Sequence, residues 1–265
     1  MSAPETYPID PGVLRELTRE FAKVDKWFAR GQIQAPRPES GSILAADDAA
    51  LDSYRLSDAA RSALSIAVDN LHALRNLVAE THLVHPWAPF TLLRAALENA
   101  STAVWLLSPR DRDRRLLRRL RLKWADSSDM LNANEVMAHT GTKTRAEHIT
   151  RLQYLGRKGG LSSEQVSQIA SRVIGYGTIM REAGEAAPTS FGPFIEGAWM
   201  VCSGMVHGRM WSTVSLLDRA EIGPSAEGVT TFRVTAPDSS LLRITQITTL
   251  MIGYGWYLLD TKSKA

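Results

Sequence analysis

The sequence predicts an all-α fold: a single up-and-down-like helical bundle with an N-terminal helical arm and at most one short strand pair. Three observations predict it. Apolar residues recur at three- and four-residue spacing almost to the end of the chain. Only one segment, VTTFRVTA at 229–236, alternates as a strand does, so no strands alternate with helices and Rossmann and TIM architectures are excluded. Finally, 265 residues that are 44% apolar, with a net charge of +3, can bury a large core and do not read as a disordered chain.

The elements follow in order. Asp10 is a good N-cap and Pro11 suits the first helical position, where a missing N–H costs nothing. Leu14, Leu17, Phe21, Val24 and Phe28 then form one apolar face, and Gly31 stops the helix. Residues 32–42, QIQAPRPESGS, read as a linker, so 1–42 is expected to be a helix with a Pro-rich linker, packing on the body or on a partner. Residues 43–265 are expected to be the bundle. Ser57 is placed as the cap of a helix faced by Ala60, Leu64, Val68, Leu71 and Val78, which breaks at His85-Pro86. The helix 90–107 is apolar nearly all round, which marks a central buried element, and Ser108-Pro109 closes it. A long helix runs from about Arg112 to Met137. Another ends before Gly159-Gly160, and a short one capped by Ser162 or Ser163 reaches about Gly175. GEAAPTSFGP is a turn, and largely apolar helices at 194–218 and 240–260 complete the chain.

Composition narrows the setting. Cys202 is the single cysteine, which excludes a disulfide scaffold and points to a reducing, cytoplasmic compartment; MSAPETYPIDP does not read as a signal peptide. Residues 244–259 carry no charge, but they are short of the roughly 20 residues a spanning helix needs, so no membrane partner is expected.

The candidate chemistry lies on two polar stripes. Arg94, Glu98, Ser101 and Trp105 share one face of the helix 90–107, and Arg94 and Glu98 are one turn apart. Glu196, Ser203 and His207 share a face of the helix 194–218, with Val214 continuing the line, and Ser203 and His207 are again one turn apart. A charged pair on so apolar a helix must find partners. The stripes are therefore expected to face each other, making Arg94, Glu98, Ser203 and His207 a buried network. Such a network is either a structural element or a catalytic constellation in which His207 moves a proton. A serine hydrolase is set aside, because Ser203 lacks a strained elbow or an oxyanion hole.

The run RDRDRRLLRRLR at 110–121 holds seven arginines. Most are expected to point outward, as a solvated face or as an RNA-binding surface through Arg112, Arg115, Arg118 and Arg119. Asp69 with His72 and Glu135 with His139 have one-turn spacing. The inward carboxylate and Glu-x-x-His set of a di-metal bundle is missing, so no metal and no other cofactor is expected. Cys202 reads as inert packing.

Through TLLRAALENASTAVWLLSP, the Arg-rich helix, and PTS followed by CSGMVHGRMW, the stretch of about 60–218 resembles a group of mostly actinobacterial helical proteins. That group is in turn similar to HEPN-type helical bundles, a class that includes nucleic-acid-cleaving toxins and non-catalytic partners. Arg94, Glu98, Ser203, His207 and Gly208 are the positions that match. HEPN ribonucleases resemble one another in an Arg, a polar residue and a His after four to six positions, and Arg75-Asn76…His82 fits as an alternative pair. The resemblance implies an RNA-binding or RNA-acting protein of a defence or toxin-like kind. The competing reading is a non-catalytic interaction module, with a homo-oligomer as partner. A small-ligand or metal-binding helical enzyme is the third.

Overall fold

In the computed structural model, the described residues are 9–81, 84–139, 141, 143–171, 174–188, 192–223 and 229–265. The Asp10 carboxylate accepts from the backbone N–H groups of Gly12 and Val13, so α1 (Pro11–Gly31) starts where its cap is placed. Leu17, Phe21 and Val24 are buried and join the main core, and α1 lies against α3 (Leu56–Thr81) and α11 (Asp238–Lys262). Arg30 stacks over the Trp256 ring and pairs with Asp260, fixing the end of α1 to α11. The arm thus packs on the body.

A short helix that the sequence pattern does not announce, α2 (Ile43–Leu51), follows the linker. It buries Asp47 and Asp48. Ser57 does not cap α3. Its backbone N–H and hydroxyl both donate to the Asp48 carboxylate, so α2 supplies the acceptor for the start of α3. Burial holds the Asp48 carboxyl above its ordinary value of 3.8, although the Ser57 bonds pull it down.

At the centre lies α4 (Ala88–Leu107), and every residue from Ala100 to Leu107 is buried. It is packed by α3 and α11 and by the later pair α8 (Tyr176–Ala186) and α9 (Gly192–Val206). The α3–α11 approach is close: a Cβ on Gly255 would lie 2.7 Å from Leu64 Cδ2. The uncharged stretch 244–259 of α11 buries three threonines and satisfies them within the fold. Thr245 and Thr248 donate to the carbonyls one turn back, and Thr249 donates to Glu20 of α1. Among the described residues no helix is long and apolar enough to cross a membrane.

On the other side lie α5 (Arg112–Val136), α6 (Arg145–Lys158) and the five-residue α7 (Ser163–Ser167). Capping boxes start the last two, Thr144 with Glu147 and Ser162 with Gln165. The helix expected up to Gly175 ends early, and α8 stands where no helix is expected.

The long helix expected at 194–218 is two. After Val206 the chain turns at Gly208, whose φ is +61, and restarts as α10 (Met210–Leu216). Arg209 N–H donates to Gly204 O and Gly208 N–H to Met205 O, the Schellman pattern. Strand β1 (Asp218–Glu221) then pairs antiparallel with β2 (Phe232–Thr235), which falls inside the alternating stretch. Eleven helices and one two-stranded sheet among the described residues make an all-α bundle.

Candidate functional site

The α4 stripe meets the C-terminal end of α9. Arg94 Nε donates to Glu98 Oε1 at 2.9 Å, the one-turn pair the spacing implies. Glu98 Oε1 also accepts from Trp199 Nε1 at 2.7 Å, which ties α4 to α9. His207 Nε2 lies 3.5 Å from Arg94 Nη1, at the outer limit of a hydrogen bond. Arg94 and Glu98 are partly buried and His207 is exposed, so the cluster opens to solvent at its histidine end.

Two features of the expected network change. Because α9 stops at Val206, His207 sits on the Schellman turn rather than inside a helix, and the line toward Val214 is broken. Ser203 contributes only its backbone carbonyl to His207 N–H, at 3.1 Å; among the described residues its hydroxyl bonds to neither His207 nor Glu98. Glu196 points elsewhere and forms a two-pronged pair with Arg181 of α8, which holds its carboxyl below the usual range.

Two residues join that spacing could not supply. Trp199 reaches Glu98 across 101 positions of sequence. Tyr176, at the start of α8, is 48% exposed and lies in the field of the pair: partial burial of its hydroxyl raises its pKa, Glu98 adds to the rise and Arg94 opposes it. Its signal, a tyrosine opening an unannounced helix, is too common to single out. Arg209, two residues after His207, is exposed and carries no ion pair among the described residues. Cys202 is buried beside the cluster, and burial pushes its thiol up to about 12, so it packs as an unreactive residue.

The arginine run requires a correction. Arg115 and Arg118 are buried, and Arg112 and Arg119 half-buried, because each has an internal partner. Arg115 grips Asp47 through two nitrogens and also donates to the carbonyls of Pro109 and Arg110. Arg118 reaches Glu182 and the Trp105 carbonyl and stacks over the Trp105 ring; burial lowers its pKa to about 10. Arg112 donates to Gly159 O at 2.7 Å and Arg119 to Arg55 O at 3.2 Å. Burial withdraws Arg115 and Arg118 from the surface, while Arg112 and Arg119 remain partly exposed with bonds to the fold.

The alternative pair is half visible. Arg75 Nε lies 3.4 Å from Asp25 of α1 and its Nη1 donates to Asn76, while His82 lies outside the described residues. His72, from one of the one-turn carboxylate–His pairs, is partly buried and stacks on Phe28 with ring centroids 3.9 Å apart. Among the described residues no group of three His, Cys, Asp or Glu side chains could hold a metal ion.

No family model, curated protein or solved structure matches this chain. The site's own geometry therefore carries the functional reading.

Proposed function

We propose that the end of the bundle where α4 meets the close of α9 is a phosphate-ester site, and that the chain acts on RNA as a HEPN-type bundle in a defence or toxin-like role. The observation that carries this reading is His207, open to solvent with its Nε2 3.5 Å from Arg94 Nη1. Glu98 and Trp199 hold Arg94 in place, so the guanidinium is pre-positioned for an anion rather than ordered at the moment of binding. Arg209 adds a second cation on the same turn. In this reading His207 takes the proton of a ribose 2′-hydroxyl as that oxygen attacks phosphorus. It returns the proton to the departing 5′-oxygen, and Arg94 holds the charge that builds on the non-bridging oxygens.

Cleavage of a labelled generic RNA in chelator tests it, using the wild type, His207→Ala and Arg94→Ala. The wild type cleaves, and His207→Ala loses roughly 100-fold or more. No cleavage by the wild type, or equal cleavage by all three proteins, overturns the proposal.

A second reading, a homodimeric interaction module, is favoured by a different observation. Phe194 and Met200 of α9 and Met210 and Trp211 of α10 are large, apolar and exposed. Light scattering would give about twice the 29.2 kDa chain mass for the wild type, and Met210→Asp with Trp211→Asp would return it to the single mass.

A further inference from the structure

Away from the Arg94–His207 cluster, α9 and α11 diverge around a cavity of about 260 Å³ lined by Phe194, Ile195, Arg243, Gln246, Ile247 and Leu250. Its α11 wall follows from spacing: positions 243, 246, 247 and 250 fall on one helical face. That wall is ordered by polarity. Arg243 and Gln246 stand toward the start of α11, Ile247 and Leu250 follow, and buried Ile195 faces them from α9. Over seven positions the wall runs about 10 Å.

Arg243 is exposed and makes no hydrogen bond or ion pair among the described residues, so its charge is available to a ligand. The aliphatic part of the cavity carries no polar side chain, so it selects a ligand tail without hydrogen-bonding groups. Drug-sized ligands occupy pockets of about 300–1,000 Å³, so this cavity takes something smaller.

We infer that the α9–α11 cavity binds a medium-length alkyl monocarboxylate, with the tail against Ile195, Ile247 and Leu250 and the carboxylate on Arg243 and Gln246. A guanidinium and a carboxylate match in planar geometry, and burial of the tail supplies most of the affinity. The site is independent of the phosphate-ester reading and shares no residue with it.

Calorimetric titration of the full chain tests the inference with three probes below their micelle concentrations: decanoate, decanol and decyltrimethylammonium. Decanoate binds once per chain, decanol more weakly, and the cation not at all. Arg243→Gln, a surface change that leaves the fold intact, weakens decanoate about tenfold and leaves decanol unchanged. Ile247→Trp fills the cavity and removes both ligands. Absence of saturable decanoate binding overturns the inference. So does equal decanoate affinity in the wild type and Arg243→Gln, or equal binding of all three probes.

Discussion

Ser101 shows how tightly a single residue on α4 is constrained. It lies on the stripe between Glu98 and Trp105, both of which find partners across the bundle, yet its hydroxyl is buried with no partner among the described residues. Its neighbour Thr102 satisfies the same chemistry locally by donating to the Glu98 carbonyl at 2.7 Å. A buried unpaired hydroxyl costs free energy that an apolar group of the same shape does not. Ser101→Ala is therefore expected to stabilise the protein by about 1 kcal/mol in denaturant melts. A loss of stability would mean that the hydroxyl is bonded after all. The contrast also shows what spacing can reveal at this scale. Arg94 and Glu98 were legible as a pair because the partners are one turn apart. Trp199 and Tyr176 were not, because their approach depends on how α8 and α9 pack on α4.

Two helix ends decide more than the helices they close. At the end of α9, Gly208 takes the left-handed conformation, and at the end of α5 Ala138 takes it with φ +52. Both ends bond alike: His139 N–H donates to Asn134 O and Ala138 N–H to Glu135 O, the pattern seen around Gly208. The same turn is thus built once with the residue that suits it and once with one that pays a steric penalty of about 1–2 kcal/mol. Gly208→Ala should lower stability by about 1 kcal/mol, and Ala138→Gly should raise it by about 0.5 kcal/mol after the greater chain entropy of glycine is deducted. Thermal melts of the two variants should shift in opposite directions, and shifts of the same sign would refute the argument. The Gly208 stop was hidden in the sequence because apolar residues continue on both sides of it, so periodicity ran through a turn that one glycine specifies. The consequence reaches the site, since an unbroken helix would not place His207 on an exposed corner. Helix α2 was hidden for the opposite reason: ILAADDAAL has no amphipathic face to read, and both aspartates turn inward.

For the molecule as a whole, the arginines of α5 act as internal ties. One helix reaches α2 through Arg115, α4 and α8 through Arg118, the end of α6 through Arg112, and the chain before α3 through Arg119. Charge counting could not show this. The seven arginines read as a solvated face because their partners Asp47 and Glu182 lie 68 and 64 positions from Arg115 and Arg118. The all-α architecture was legible, because helical periodicity is local; the wiring between helices was not. The Asp47–Arg115 pair is the strongest test. Its side chains are 0% and 4% exposed, and the carboxylate accepts from both Nε and Nη2 of Arg115. Removing the acid strands a guanidinium in the core, where its remaining bonds to the Pro109 and Arg110 carbonyls cannot neutralise the charge. Asp47→Ala is expected to cost about 3–5 kcal/mol, a large share of the stability of a chain this size. Asp47→Asn should cost less, because the amide oxygen still accepts one bond. Charge reversal at exposed Arg110 serves as the control and should change stability by no more than about 0.5 kcal/mol. Urea melts of the three variants decide the matter. If Asp47→Ala proves as mild as the Arg110 control, the arginines of α5 face water and the ties do not hold the bundle together.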